Sequence, residues 1–162
     1  MTQMAGVEER IAALEARLRA VEDELAIHKL IVRYGLAVDT GDAERTAAVF
    51  AEEAVYDADV RLMRGRGEVA DMVRSARHQE MVGRCAHQIG PAVVTLEGDR
   101  ATALGYSRVY LQGAGGIAIY RVSFNRWELE RRAERWIIVR RLTRLLGHAE
   151  ALAIFRDGLG EP

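Results

Sequence analysis

The sequence has very little cysteine and very little proline. A single cysteine, Cys85, excludes an intramolecular disulfide framework and fits a reducing compartment. Because there are only two prolines, Pro91 and Pro162, glycines must mark most of the turns. A secreted domain held together by disulfides is therefore excluded.

The sequence also lacks an excess of either charge and any long apolar run. Lys and Arg number 23 against 24 Asp and Glu, a formal net charge of -1, which leaves no electrostatic footprint for nucleic acid or an anionic membrane. The N-terminus has no basic segment followed by an apolar one, and no uncharged apolar run is long enough to span a membrane. We therefore expect a cytoplasmic protein whose partner is a hydrophobic small molecule or another copy of itself.

What the sequence does contain is enough apolar material for one core. A chain of 162 residues with 49% apolar and 29% charged residues has the size and composition of a single globular domain over 1–162. Within it we distinguish a helical lead-in at 1–23, a body at 24–147 and a C-terminal helix and tail at 148–162. No internal repeat or low-complexity linker suggests a second domain.

An apolar seam runs along the lead-in. Its members recur at alternating steps of four and three residues, as in a heptad repeat: Val7, Ile11, Leu14, Leu18, Val21 and Leu25. Two interpretations are open. The segment is either an amphipathic helix lying on its own domain or a short coiled-coil stalk that joins subunits into a dimer or trimer.

The remaining patterns predict helices first and then a long antiparallel meander, which is typical of an α+β fold with one sheet face covered. The first helix continues with a 3.6-residue period and ends near Gly41, and Asp42 caps the next. The predicted helices then lie at 43–51, 68–81 and 149–156, and the predicted strands at 55–60, 86–96, 101–112, 117–131 and 136–145, with a turn at 62–67.

Residues able to carry chemistry come from three distant segments. Tyr34 and Asp39 lie near the end of the first long helix, and His87 opens the first long strand. A carboxylate that contacts an imidazole fixes its tautomer and raises its basicity, as a general base near neutral pH requires. Arg141 on the last strand is expected to face the pocket, with Arg144 as the alternative if a bulge intervenes.

Other candidates are weaker. Asn125 and Phe124 are possible substrate contacts, although Phe124 also fits the core. Cys85 is expected on the face opposite His87, which argues against a thiol nucleophile. The histidines show no paired ligand spacing, so neither a metal nor another cofactor is expected. Taken alone, a single His in a strand is more often structural, and an Asp before Thr-Gly is more often a cap.

Several of these residues together resemble a known family. Ile27, Leu30, Tyr34, Asp39, Gly41 and Asp42, then Phe50-Ala51 and Ala54, a strand-opening His87, and Trp136, Ile138 and Arg141 are similar to the SnoaL-like branch of the nuclear-transport-factor-2-like superfamily. Within that branch the arrangement is most similar to bile-acid 7α-dehydratase and lindane dehydrochlorinase, and more distantly to scytalone dehydratase.

The resemblance implies a cone-shaped, cystatin-like fold in which a curved mixed or antiparallel sheet wraps around the long N-terminal helix, with about three helices plus the N-terminal extension. It also implies that Asp39 and His87 form a dyad, with Tyr34 and Arg141 or Arg144 beside it. The expected activity is a cofactor-independent elimination or isomerisation of a hydrophobic cyclic molecule. Two alternatives remain, namely a non-catalytic binding or assembly module and the small subunit of a ring-hydroxylating dioxygenase.

Overall fold

Five helices and six strands form the part of the chain that the computed structural model describes, residues 2–156 and Leu159. The helices are α1 Thr2–Asp39, α2 Ala43–Ala48, α3 Gly65–Arg74, α4 Ala76–Gln79 and α5 Ala151–Arg156. The strands are β1 Phe50–Ala58, β2 Arg61–Arg64, β3 Cys85–Glu97, β4 Arg100–Gly113, β5 Gly116–Arg132 and β6 Arg135–Leu145. Most of the expected tail after α5 lies outside the described residues.

One mixed sheet contains all six strands in the order β2-β1-β6-β5-β4-β3. The pairing of β1 with β6 is parallel, and the other four pairings are antiparallel. Register shifts interrupt four of the pairings, and such bulges bend strands and increase their twist. The expected α+β class, with a curved mixed sheet around a long N-terminal helix, is confirmed.

The C-terminal third of α1 packs into the concave face of this sheet. Its inward side chains recur every three or four residues, as a buried helical stripe requires. On α1 they are Ile27, Ile31, Tyr34 and Val38, and the sheet side chains buried with them include Trp127, Leu129 and Ile138, all at most 4% exposed. The main core therefore lies between the helix and the sheet.

The first part of α1 projects away from that core. Every residue from 6 to 22, which we call the stalk, is exposed, so the helix does not lie along its own domain. At its base, Asp23 accepts hydrogen bonds from Arg131 Nη2 at 2.5 Å and Trp136 Nε1 at 3.0 Å. Arg131 also lies over the Trp136 ring, 4.7 Å from its centroid. These contacts fix the direction of the stalk relative to the sheet.

Two predicted helices had wrong boundaries. The helix expected at 43–51 ends at Ala48, because Phe50 and Ala51 are buried in β1, where pairing with β6 overrides helix propensity. The helix expected at 68–81 begins already at Gly65 and is interrupted at Ser75, whose extended backbone and hydroxyl cap α4. The expected turn at 62–67 is instead divided between the end of β2, which pairs with β1, and the start of α3. None of the described helices combines the length and apolarity that a membrane crossing needs.

Candidate active site

The end of α1 is built to hold Asp39 in place. Thr40 Oγ1 donates back to the carbonyls of Leu36 and Ala37, at 3.1 and 3.0 Å. Gly41 then adopts a positive φ of 68°, a conformation that terminates helices and favours glycine. Asp42 caps α2 by accepting from the Arg45 backbone N–H at 2.9 Å, as its position predicted. Asp39 is thus the last residue of a firmly terminated helix.

Asp39 and His87 are in direct contact. Asp39 Oδ1 lies 2.5 Å from His87 Nδ1, and Asp39 Oδ2 accepts from the His87 backbone N–H at 2.7 Å. Both side chains are 18% exposed. The carboxylate therefore hydrogen-bonds to both the ring and the main chain of His87, which fixes the position and the orientation of the imidazole.

This contact determines the tautomer of the neutral imidazole. A carboxylate is an acceptor only, so Nδ1 must carry the proton that lies between the two groups. Nε2 is then left with its lone pair, and it has no hydrogen-bond partner among the described residues. His87 lines a cavity, so the arrangement presents a proton acceptor to whatever occupies that cavity.

A glycine on α1 allows β3 to come this close. A Cβ atom added at Gly35 would lie 3.2 Å from Ile89 Cδ1 and 3.4 Å from the carbonyl oxygen of His87. Such distances are tight for any larger residue, so the absent side chain at position 35 sets the separation between helix and strand. The sequence offered only an isolated glycine inside a helical pattern as the signal for this position.

Cys85 also contacts the dyad, which corrects its expected placement on the opposite face. Residues two apart on a strand share a face, and the Cys85 thiol donates to Asp39 Oδ1 at 3.6 Å. Burial and the neighbouring Asp39 carboxylate raise the pKa of the Cys85 thiol. A raised pKa keeps the sulfur protonated, so its role here is that of a weak donor and not that of a nucleophile.

The three side chains bring together donor atoms of the types that bind metals. The carboxylate, thiol and imidazole atoms of Asp39, Cys85 and His87 all lie within 4.8 Å of one another. However, the 2.5 Å separation of Nδ1 and Oδ1 is that of a direct hydrogen bond. Two ligands of one zinc ion, each about 2 Å from the metal in a tetrahedron, would lie farther apart. We therefore interpret the cluster as a hydrogen-bonded group.

His87 opens into a cavity of about 270 Å³ between α1, the α3–α4 segment and the sheet. Its walls are largely apolar and include three methionines, whose flexible side chains adapt to differently shaped ligands. The apolar lining residues are Val38, Ala58, Val60, Met63, Met72, Met81 and Val109. A larger open groove of about 790 Å³ lies beneath the stalk, but Asp39, Cys85 and His87 do not line it.

A second histidine lines the same cavity. His78 is 8% exposed, and its Nε2 lies 2.9 Å from the carbonyl oxygen of Val38. A carbonyl oxygen only accepts, so Nε2 of His78 carries a proton. No sequence pattern places His78 here, because the break at Ser75 that turns it inward interrupts a continuous helical pattern.

Tyr34 is buried at the inner end of the cavity. Its ring packs edge-on against Phe50 and Tyr56, with centroids 5.7 and 6.5 Å away. Burial is the main cause of a strongly raised Tyr34 pKa, with a further increase from Tyr56 and an opposing effect of the Arg141 cation. Tyr34 is therefore a neutral phenol, able to donate its proton in a hydrogen bond.

Arg141 lies behind this tyrosine and does not itself line the cavity. Its guanidinium carbon is 4.4 Å from the Tyr34 ring centroid and 4.6 Å from that of Tyr56. Nη2 and Nε donate to Asn125 Oδ1 at 2.8 and 3.2 Å, while the buried Nη1 has no partner among the described residues. Asn125 is itself fully buried and donates to Ser107 Oγ at 2.9 Å. Arg141 and Asn125 thus form one polar network beneath the aromatic rings.

A bulge in β6 explains why Arg141 faces inward. Leu129 pairs with Ile138 but Glu128 pairs with Arg140, so Val139 is an extra residue that shifts the alternation of the strand. As a result Arg141 shares the buried face with Ile138, not with Ile137 and Val139 as simple alternation predicted. A similar shift in β3, between Ile89 and Ala92, turns Val93 outward, although it was expected on the face of His87.

Arg144 and Phe124 lie on the other face of the sheet, away from the dyad. Arg144 binds both Asp57 oxygens at 3.0 Å and Glu150 at 3.0 Å. Phe124 packs against Phe155 of α5, with centroids 4.9 Å apart. The structure therefore brings together Tyr34, Asp39, His87, Asn125 and Arg141 and separates the other two candidates from them. The bulge foreseen as favouring Arg144 instead directs Arg141 inward.

Comparisons with known proteins agree with this architecture. The family model described as a SnoaL-like domain matches residues 19–142. An NTF2-like protein with a cystatin-like fold from Novosphingobium aromaticivorans is 40% identical, with 87% of this chain and 94% of that chain covered and a TM-score of 0.83. A search of curated proteins gave no match.

More distant structures share the fold alone. A protein of unknown function from Mycobacterium tuberculosis is 24% identical, with 90% of each chain covered and a TM-score of 0.72. A protein from Novosphingobium aromaticivorans, inferred to be the β subunit of an aromatic-ring-hydroxylating dioxygenase, is 22% identical, with 79% of this chain and 91% of that chain covered and a TM-score of 0.67.

Proposed function

The chain belongs to the SnoaL-like domain family, and from that premise we propose that it is a cofactor-independent lyase or isomerase acting on a hydrophobic cyclic molecule. The observation that carries the proposal is the 2.5 Å contact between His87 Nδ1 and Asp39, with His87 at the wall of an apolar cavity. A ligand-sized apolar cavity with a few convergent polar groups is the usual form of an active site.

His87 is the general base in this proposal. Its Nε2 takes a proton from a carbon beside a carbonyl or leaving group, and Asp39 stabilises the imidazolium that forms. In an elimination the electron pair of the broken C–H bond forms a double bond as the leaving group departs. In an isomerisation the same proton returns at another carbon. Neither route requires an external oxidant or reductant.

Tyr34 donates a hydrogen bond to the oxygen on which negative charge develops. Arg141 strengthens this hydrogen bond from the far side of the ring. Its cation, 4.4 Å from the ring centroid, stabilises the partial negative charge that the tyrosine oxygen gains as it donates. Arg141 acts through Tyr34 and is a positioning residue. Asn125 holds the guanidinium in that place through two hydrogen bonds.

Proton abstraction can be measured without knowledge of the natural substrate. A panel of cyclic ketones and β-hydroxy ketones is incubated with the protein in deuterium oxide, and mass spectrometry detects either deuterium uptake or loss of water. We expect His87→Gln to lower the rate on a responsive compound by about 100-fold or more, the usual contribution of a general base. Native mass spectrometry of a co-purified ligand extends the panel toward the natural substrate.

His148→Gln is the matched control, since His148 is exposed and outside the cavity. It should leave the rate unchanged, and both variants should keep the wild-type circular dichroism spectrum. Equal rates for wild type and His87→Gln on every responsive compound would refute the dyad as the base.

A second candidate is the small subunit of a ring-hydroxylating dioxygenase, an assembly module that associates with a separate iron-containing chain. Two observations favour it: the exposed apolar seam of the stalk and the similarity of fold to a protein inferred to be such a β subunit. This candidate predicts stable association with an iron-containing chain from the same cytoplasm. Affinity purification followed by iron analysis tests it, and a self-assembled, iron-free sample with His87-dependent exchange would refute it.

A further inference from the structure

We infer that the substrate carries an acidic group, a carboxylate or a group of similar charge, which Arg121 binds. The inference rests on the proposed function, because it concerns the ligand of the same cavity. Its starting point is the charge of the cavity wall. Arg61, Arg77 and Arg121 line the cavity, and no Asp or Glu does. An apolar cavity with charge of one sign at its wall concentrates ligands of the opposite sign.

None of these three arginines forms an ion pair with a described residue. The arginines that do so belong to other surfaces: Arg45, Arg74, Arg126, Arg131, Arg132 and Arg144. The positive charge at the cavity is therefore not neutralised by the protein itself.

Arg121 is the best placed of the three. Its Nε donates to Ser123 Oγ at 3.1 Å, which holds the guanidinium, whereas its Nη2 is buried without a hydrogen-bond partner among the described residues. A buried donor without a partner is costly, and a charged one more so. A ligand carboxylate in the cavity would form charge-assisted bonds with this guanidinium, and a small rotation of the side chain toward it would give Nη2 the missing acceptor.

The sheet register places Arg121 in one row with the base. His87 on β3 pairs with Val109 on β4, and Val109 pairs with Arg121 on β5. All three line the cavity. Neighbouring strands lie about 4.8 Å apart, so the backbones at His87 and Arg121 are roughly 10 Å apart across the row. His87 and Arg121 therefore line the cavity from two strands that are separated by a third, so the expected substrate carries its acidic group away from the reacting carbon.

Equilibrium binding of matched probes tests this without turnover. The probes are naphthoate with its neutral amide and anthracene carboxylate with its amide, titrated by fluorescence. We expect the wild-type protein to bind each carboxylate about 10- to 100-fold more tightly than its amide, the effect of one charge-assisted hydrogen bond. Arg121→Gln should abolish that preference and leave amide binding unchanged.

Arg100→Gln is the control, because it removes the same charge from an exposed position outside the cavity. It should retain the preference for the carboxylates. Equal affinity of the wild type for acid and amide, binding of neither, or equal losses in the two variants would overturn the inference. Such a result beside unchanged His87-dependent exchange would overturn the acid-binding role alone and leave the dyad in place.

A different observation supports a second inference: we propose that the stalk pairs with the stalk of a second copy in parallel. The seam residues Val7, Ile11, Leu14, Leu18, Val21 and Leu25 are each 50–62% exposed. Asp23 lies on the opposite side of the helix and binds Arg131 of its own sheet. The seam therefore points away from its own domain, and only another chain can cover it.

The charges beside the seam select the parallel orientation. In a parallel pair, the residues just before Ile11, Leu18 and Leu25 each face the residue five positions later in the partner chain. In this sequence the pairs that result are Arg10 with Glu15, Arg17 with Glu22 and Glu24 with Lys29, all of opposite charge. In an antiparallel pair, Glu8, Glu15 and Glu22 would instead face the same three glutamates of the second copy, and their like charges would repel.

Cysteine cross-linking distinguishes the two orientations in the full-length protein. Val7→Cys places a thiol on the seam near its N-terminal end, where it meets its own copy only in a parallel, in-register pair. We expect oxidation to give a disulfide-linked dimer in denaturing electrophoresis. Glu9→Cys, on the opposite side of the helix, and the wild type with Cys85 alone should remain uncross-linked.

Sedimentation measures the assembly itself. The double variant Leu14→Glu/Leu18→Glu should sediment as a smaller assembly than the wild type. If the domains stay associated through other surfaces, the same double change should abolish the Val7→Cys cross-link. Equal cross-linking at positions 7 and 9, no cross-linking at position 7, or a monomeric wild type would overturn parallel pairing.

Discussion

Replacing Asp39 with Asn should invert the tautomer of His87. In the wild type, Asp39 Oδ2 accepts from the His87 backbone N–H and Oδ1 accepts from ring Nδ1. Asparagine has one acceptor oxygen and one donor nitrogen in place of these two oxygens. The backbone N–H can only donate, so it takes the oxygen. The amide nitrogen then faces ring Nδ1, which must become the acceptor, and the ring proton moves to Nε2.

The structure also gives the size of the effects. Both hydrogen bonds to His87 retain a partner but change from charge-assisted to neutral, and the weak bond from the Cys85 thiol loses its acceptor. Hydrogen bonds to charged groups contribute about 1.5–3 kcal/mol and neutral ones about 1 kcal/mol, so the free energy of unfolding should fall by about 1–3 kcal/mol. Activity should fall by about 100-fold or more, because Nε2 no longer offers a lone pair to the cavity.

The assay is nitrogen–proton correlation NMR of isotope-labelled histidine side chains, at a pH about two units above the ordinary histidine pKa of about 6.5. The chain has 4 histidines, and the signal lost in His87→Gln assigns the one of interest. We expect the Nδ1–H form in the wild type and the Nε2–H form in Asp39→Asn. An unchanged tautomer, or Nε2–H in the wild type, would refute the reasoning.

The same variant should change the reactivity of Cys85. The raised pKa of this thiol arises from burial first and then from the charge and hydrogen bond of Asp39. Only the thiolate reacts, so alkylation by iodoacetamide should be slow in the wild type and faster in Asp39→Asn at the same pH. A slower reaction in the variant would contradict the assigned effect of Asp39.

Two further predictions concern stability, measured by chemical denaturation. The hydrogen bond from Arg131 lowers the pKa of Asp23, so this contact stabilises the fold above the ordinary aspartate pKa and loses its effect as pH falls through the lowered one. Asp23→Asn should therefore cost about 1–2 kcal/mol at neutral pH and progressively less in acid, and a pH-independent cost would contradict this. A Cβ added at Gly105 would lie 2.9 Å from the Pro91 carbonyl oxygen, whereas a Cβ added at Gly113 would have no described neighbouring atom within 4 Å. Gly105→Ala should thus destabilise by about 1–3 kcal/mol, with Gly113→Ala as the near-neutral control.

The sequence by itself determined the order and kind of most elements. Helical and alternating apolar periods arise from local backbone geometry, so α1, the long strands and the end of the helix at Gly41 could be predicted. The residue types of a base and its orienting carboxylate were also recognisable, since few side chains serve these roles near neutral pH. That Asp39 and His87 meet came from family resemblance and not from their separation in the chain.

Tertiary structure decided which side chains share a face. Alternation along a strand holds only until an extra residue is inserted, and strand pairing determines where that happens. The bulge at Val139 turns Arg141 inward, and the break at Ser75 brings His78 to the cavity. The row that joins His87 to Arg121 exists only through the register of three strands. These placements depend on contacts between distant segments, which no local pattern encodes.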